Sequence, residues 1–148
     1  MIKIRLKVNE SNDFTDIEII INCPEEDERV SPLVQQINQM MHSIYGKKDG
    51  VTYPLVSDQL LYMESVNDTV FLYTDDDVFE SSKKLYELEE QLKEMRFMRI
   101  SKNFIVNIAK IESVKALLNG RFEAYLINGE KAIINRHYVK SFRKHFLG

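Results

Sequence analysis

Apolar and polar positions alternate with period two at the start of the chain. Ile2, Ile4, Leu6 and Val8 fall on one side and Lys3, Arg5 and Lys7 on the other, which predicts a strand. Ile17, Ile19 and Ile21 repeat the pattern, so Ile17–Asn22 is a second strand and the two are expected to form a hairpin. The period then changes. Leu33, Val34, Ile37, Met40, Met41 and Ile44 recur at helical spacing behind Ser31-Pro32, a serine N-cap followed by a proline at the first helical position. The helix is placed at about Pro32–Tyr45, with Gly46 as its stop. Met40 and Met41 are expected in a core, although methionines can also make an adaptable binding surface. Lys47-Lys48-Asp49-Gly50 reads as a linker.

Strand patterns dominate after Val56. Leu60–Glu64 and Val70–Thr74 are strands joined by the hairpin loop Ser65–Thr69, and Val78–Glu80 is a short return strand. The run Asp75-Asp76-Asp77 lacks the alternate-ligand spacing, glycine turn and distal glutamate of a calcium loop, so it reads as a solvated turn. Leu85, Leu88, Leu92 and Met95 form a narrow apolar stripe along a helix over Lys83–Met95. In Phe97–Asn107, two apolar runs flank Ser101-Lys102-Asn103, giving a strand, an exposed basic turn and a second strand. Ile111–Leu117, Arg121–Leu126 and Lys131–Ile134 are further strands. Asn119-Gly120 and Asn128-Gly129 lie between them, a strong hairpin signal. Tyr138, Val139, Phe142 and Phe146 mark a short terminal helix.

Charge refines this picture. The net charge is −3, but the distribution is uneven. Residues 1–55 carry 6 basic and 9 acidic side chains, residues 56–95 carry 3 and 11, and residues 96–148 carry 11 and 3. A local excess of +8 in the last stretch can form an electrostatic footprint. The alternative is that the acidic middle and the basic end pair with each other. At 44% hydrophobic and 29% charged residues, the composition suits a soluble globular chain. The alternating N-terminus does not resemble a signal peptide, and the single cysteine, Cys23, excludes an internal disulfide. A cytoplasmic location is expected.

Catalytic parts are missing from the pattern. The five glycines make no phosphate-binding loop, and His42, His137 and His145 lack metal-ligand spacing with a third partner. Neither cofactor nor metal is expected, and the chain reads as a binding protein. Candidate contacts lie at the loop tips of a β scaffold: Asn67, Asp68 and Thr69; Arg99, Ser101, Lys102 and Asn103; and Arg136, His137 and Lys140. Arginine and asparagine can read base edges and lysine suits phosphate. Each of these residues could equally be a solvated loop side chain. Asn107, ending an apolar strand, suits a hydrogen bond to turn backbone.

Taken in order, Leu61-Tyr62-Met63-Glu64-Ser65, Val70–Thr74, Leu85-Tyr86-Glu87-Leu88-Glu89, Phe97–Asn107, Ile111-Glu112-Ser113-Val114, Asn128-Gly129 and Asn135-Arg136-His137-Tyr138 resemble the LytTR-type DNA-binding domain of bacterial response regulators. The resemblance spans residues 58–148. It implies a mainly β fold with some α, an elongated sandwich of stacked antiparallel sheets that reads double-stranded DNA through loops. It also implies contacts from Asn67–Thr69, Lys102 and Arg136, and a transcription regulator that binds repeated promoter sites. The sequence departs from the family at Ser101, where many members have histidine, at Asn103, where serine is common, and in a short first loop without a basic residue. The expected organisation is an N-terminal β-β-α extension over 1–50 and a LytTR-type domain over 56–148. The extension is too short for a phosphoacceptor receiver domain. It could serve a homodimer, dock a small membrane-protein partner or add strands to the core. The alternative function is a protein-interaction module on the same scaffold with only weak, nonspecific DNA binding.

Overall fold

The computed structural model describes residues 3–15, 17–25, 27–41, 44–93 and 95–147. Helix α1 covers Val30–Met41. Strands β1 (Ile44–Lys48), β2 (Val51–Leu55), β3 (Tyr62–Val66), β4 (Thr69–Tyr73) and β5 (Val78–Ser81) follow, then helix α2 (Leu85–Gln91). Strands β6 (Phe97–Ser101), β7 (Phe104–Asn107), β8 (Ile111–Ala116), β9 (Phe122–Leu126) and β10 (Lys131–Ile134) lead to helix α3 (Arg136–Phe146). The strands form an antiparallel seven-stranded sheet, ordered β2-β1-β5-β4-β3-β7-β6, and an antiparallel three-stranded sheet, ordered β10-β9-β8. The fold is mainly β with three α-helices.

Alternation along the strands builds two cores on opposite faces of the large sheet. Met63, Leu72 and Ile105 point to one face, where Leu85, Leu88 and Leu92 close over them. The intervening Tyr62 and Val106 point to the other, where they meet Ala124, Leu126, Ile134 and Phe142. Tyr62 also joins the sheets: its hydroxyl donates to Glu130 Oε2 in the β9–β10 turn, and its ring stacks on Tyr73 and Phe104. Burial, followed by the nearby Glu130 carboxylate, raises the Tyr62 pKa above the ordinary tyrosine range.

Two expectations about the first 55 residues need correction. Asp49-Gly50 is not part of a linker. Both residues take positive φ (51° and 78°) and turn the β1–β2 hairpin, which extends the large sheet through the β1–β5 pairing. The helix therefore ends before Ile44, and Tyr45 and Gly46 lie in a strand. Gly46 is needed for space: an added Cβ would meet Phe79 Cβ at 2.6 Å and Leu55 Cδ1 at 2.9 Å. The expected N-terminal hairpin is also not found. Residues 3–15 and 17–25 contain no paired strand among the described residues, and Leu6 and Ile17 are 92% and 96% exposed. The alternation shows which face could be buried, but the described residues leave most of that face exposed. The period is nevertheless helical over α1, which starts at Val30, just ahead of the expected serine cap. The side chains of Met40 and Met41 lie outside the described residues.

The other element assignments agree to within a few residues. Asn67-Asp68 turns β3 into β4 with both residues at positive φ. Asp75–Asp77 forms the β4–β5 turn, where Asp77 N donates to Thr74 Oγ1 at 3.0 Å and Asp77 pairs with Lys48. Helix α2 is shorter than the apolar stripe, but Leu92 and Met95 still pack into the core beyond its end. Asn107 is buried. Its Nδ2 donates to Leu60 O at 2.8 Å and its Oδ1 accepts from Ala109 N at 3.1 Å, the backbone role expected for it.

Candidate nucleic-acid interface

Strand pairing brings three separated loop regions to one end of the large sheet. β7 starts at Phe104 opposite Glu64 of β3, so the β6–β7 turn lies beside the β3–β4 turn. Ser65 N donates to Asn103 O at 2.8 Å and joins the two turns directly. β6 has a register irregularity between Arg99 and Ser101. Such bulges re-aim the strand. There the carbonyl of Ile100 accepts from Asn135 N at 2.8 Å, which docks the start of α3 on the same strand. Asn135 caps α3, its side-chain oxygen accepting from His137 N at 3.1 Å. The helix N-terminus adds positive partial charge beside Arg136 and His137.

Within this frame Lys102 and Asn103 form an exposed turn tip, and Asn67 and Asp68 form another beside it. Thr69 and Ser101 are partly covered at strand ends. Arg136, His137 and Lys140 are exposed on the first turns of α3. With Gly120, Val139 and Arg143 they line an open depression, and no carboxylate is among the described residues that line it. Lys102, Arg136 and Lys140 have no ion pair among the described residues. Arg99 differs from them. It is 19% exposed, its Nε donates to Glu89 Oε2 at 3.0 Å, and its Nη1 donates to Lys102 O at 2.7 Å.

Two cations were missed by the reading of the sequence. Lys84, just ahead of α2, places its Nζ 3.3 Å from the carbonyl of Asp68. It supplies a positive charge to a turn that has none of its own. Arg143 follows Arg136 at i+7 and Lys140 at i+3 on the face of α3 that the apolar residues leave free, with its guanidinium 6.0 Å from the Phe122 ring. That spacing was visible in the sequence. The Lys84 contact bridges 16 positions and was not.

The sheet's opposite end mixes both charges, with Lys48 paired to Asp77 and Lys110 beside Asp58. It holds Asp58 ahead of β3, Asp75 and Asp76 in the β4–β5 turn, and Glu130. Pairing between the acidic middle and the basic last stretch is limited among the described residues to Arg99–Glu89 and Lys110–Asp58, the latter at 3.9 Å. Lys102, Arg136, Lys140 and Arg143 are thus left at one end with no ion pair among the described residues. No described helix is long and apolar enough to cross a membrane.

Residues 50–147 match the model of the LytTr DNA-binding domain family. Two relatives from Staphylococcus aureus, strains NCTC 8325 and MRSA252, are described as uncharacterized HTH-type transcriptional regulators. They are 29% and 28% identical to this chain over 146 residues, and each match covers 97% of this chain and 97% of the relative. The similarity thus extends well into the N-terminal segment. Among the described residues no two α-helices are consecutive, because strands separate α1 from α2 and α2 from α3. A solved LytTr DNA-binding domain from a Bacillus cereus protein shares the fold, with a TM-score of 0.67 and 24% identity, over 72% of this chain and 96% of that one. The family match covers the greater part of the sequence, and the chain belongs to the LytTr DNA-binding domain family.

Proposed function

We propose that the protein is a transcription regulator that binds specific, repeated promoter sites through the basic end of its large sheet. The observation that carries this reading is the gathering of Lys102, Arg136 and Lys140 at one end with no ion-pair partner among the described residues. In this reading Lys102, Lys84, Lys140 and Arg143 meet phosphates, and Arg136 reads a base edge. Asn67 and Asn103 can pair with adenine, and Asp68 can accept from the cytosine amino group. Ser101, Thr69 and His137 border these contacts. The chain acts by binding, with family membership as support. The test is a fluorescence-anisotropy titration with DNA from upstream of the protein's own gene. That DNA should bind ~10³-fold or more tightly than a scrambled duplex. Equal, weak binding to both, repeated across other candidate promoters, would contradict the reading.

We further propose that residues 3–41 join two copies of the chain. Ile4, Leu6, Val8, Ile17 and Ile19 are exposed, and the segment carries both charges, Lys3, Arg5 and Lys7 against Glu10, Asp13 and Glu18. It can therefore complement a second copy of itself. Binding to repeated sites would gain from such linkage. Sedimentation velocity should show a dimer that Leu6→Asp combined with Ile17→Asp converts to monomer. A wild-type monomer at all accessible concentrations would rule this out.

A further inference from the structure

We infer that Glu89 and Arg99 form a brace that positions the Lys102 turn for DNA, and that Arg99 is not itself a phosphate ligand. The inference rests on the reading that this end of the sheet meets DNA. Lys102-Asn103 is a short exposed tip, and its two carbonyls are held from opposite sides. Arg99 Nη1 donates to Lys102 O at 2.7 Å, and Ser65 N donates to Asn103 O at 2.8 Å. The second tie is part of the scaffold, since Ser65 lies in β3. The first depends on a side chain. Arg99 in turn is oriented by α2: its Nε donates to Glu89 Oε2 at 3.0 Å.

The geometry uses what distinguishes arginine from lysine. A planar guanidinium can donate to a carboxylate and a carbonyl at once, in fixed directions, whereas an ammonium on a flexible stem cannot reproduce that fork. The Glu89 charge also offsets that of Arg99, so the pair presents little net charge to a phosphate. The same strand holds α3 through Ile100 O and Asn135 N. A set Lys102 turn therefore has a fixed relation to Arg136, which fixes the spacing between a phosphate contact and a base contact.

Two accounts of Arg99 make opposite predictions. If Arg99 binds phosphate and Glu89 only weakens it, Glu89→Gln removes a negative charge near DNA and raises affinity. If the pair is a brace, Glu89→Gln lowers specific affinity although no cation is lost. Salt dependence separates them again. Each phosphate contact contributes about 0.9 to the slope of log affinity against log salt. As a brace, Arg99→Ala costs at most the Lys102 contact, and the double variant Arg99→Ala/Lys102→Ala has the slope of Lys102→Ala alone. As a ligand, the two losses add to about 1.8. Arg99→Lys keeps the charge and should remain impaired if the fork is what counts.

The experiment is anisotropy of the full chain on its specific duplex across a salt series, for wild type, Glu89→Gln, Arg99→Lys, Arg99→Ala and the double variant. Amide hydrogen exchange of the free proteins is measured alongside. The brace predicts weaker specific binding for Glu89→Gln and Arg99→Lys. It also predicts faster exchange at Lys102–Phe104 with no change at Asn67–Asp68. Tighter binding by Glu89→Gln, or additive slope losses, would overturn it. So would unchanged exchange at the turn. If the wild type binds no duplex selectively, the DNA reading fails on its own, and exchange alone decides whether the brace exists.

Discussion

Phe142→Ala is expected to lower the unfolding free energy by about 3–5 kcal/mol, the usual cost of emptying a buried phenylalanine site. Phe142 is fully buried between the two sheets and stacks on Phe146 with ring centroids 5.3 Å apart. It is the centre of the α3 seam, with Tyr138 and Val139 packed toward the same core. A domain with a total stability of roughly 5–15 kcal/mol cannot lose that much without a visible rise in its unfolded fraction. Urea denaturation followed by far-UV circular dichroism should show a large fall in midpoint. Leu118→Ala is the control, because Leu118 is 86% exposed in the β8–β9 connection and its loss should change stability by no more than about 0.5 kcal/mol. Since α3 carries Arg136, Lys140 and Arg143, the Phe142 variant should also bind DNA less well wherever it remains folded. A midpoint shift no larger than that of Leu118→Ala would mean that α3 is not anchored as the structure shows.

Arg136→Ala should cost roughly 1–3 kcal/mol of specific DNA affinity, the worth of a bidentate base contact, while binding to scrambled DNA changes much less. Arg136 is exposed at the first position of α3, where Asn135 holds the helix start against β6. The side chain has no ion-pair partner within the described residues, so its removal leaves no buried charge behind and should leave folding intact. Arg136→Lys separates the two contributions: it keeps the charge but cannot make the two parallel hydrogen bonds. It should retain affinity for scrambled DNA and lose most of the preference for the specific site. If Arg136→Ala weakens both duplexes equally, the residue is a phosphate contact and the reading surface lies elsewhere on this end.

Local chemistry made much of this fold legible in the sequence. Asn-Gly pairs mark the turns of the β8–β9–β10 meander, and alternation in Phe97–Asn107 predicts β6 and β7 around the exposed Lys102. The apolar spacing of Tyr138, Val139, Phe142 and Phe146 defines α3 and, by exclusion, its basic face. The β1–β2 hairpin was missed although Asp49-Gly50 carries a hairpin signal. Ile44 continued the helical period of α1, and Gly46 passed as a helix stop. The true reason for Gly46 is the Phe79 side chain more than thirty positions away, which no local pattern contains. The same limit applies to Arg99 and Lys84. In the sequence Arg99 is one more cation beside a basic turn. Only tertiary structure brings Glu89 to it and sets it apart from Lys102 and Arg136. The N-terminal alternation is a different case: the periodicity is plain, but a period names a face and not its partner.

If the cations around Lys102 and α3 meet the DNA backbone, the salt dependence of affinity must change when they are removed. The slope of log affinity against log salt is measured for the wild type, for Lys102→Ala and Lys140→Ala at the basic end, and for Lys110→Ala beside Asp58 at the other. Each basic-end variant should reduce the slope by about 0.9, one phosphate contact, and Lys110→Ala should leave it unchanged. Equal slopes for all four proteins, or a loss confined to Lys110→Ala, would place the DNA away from the Lys102 and α3 surface and contradict the account.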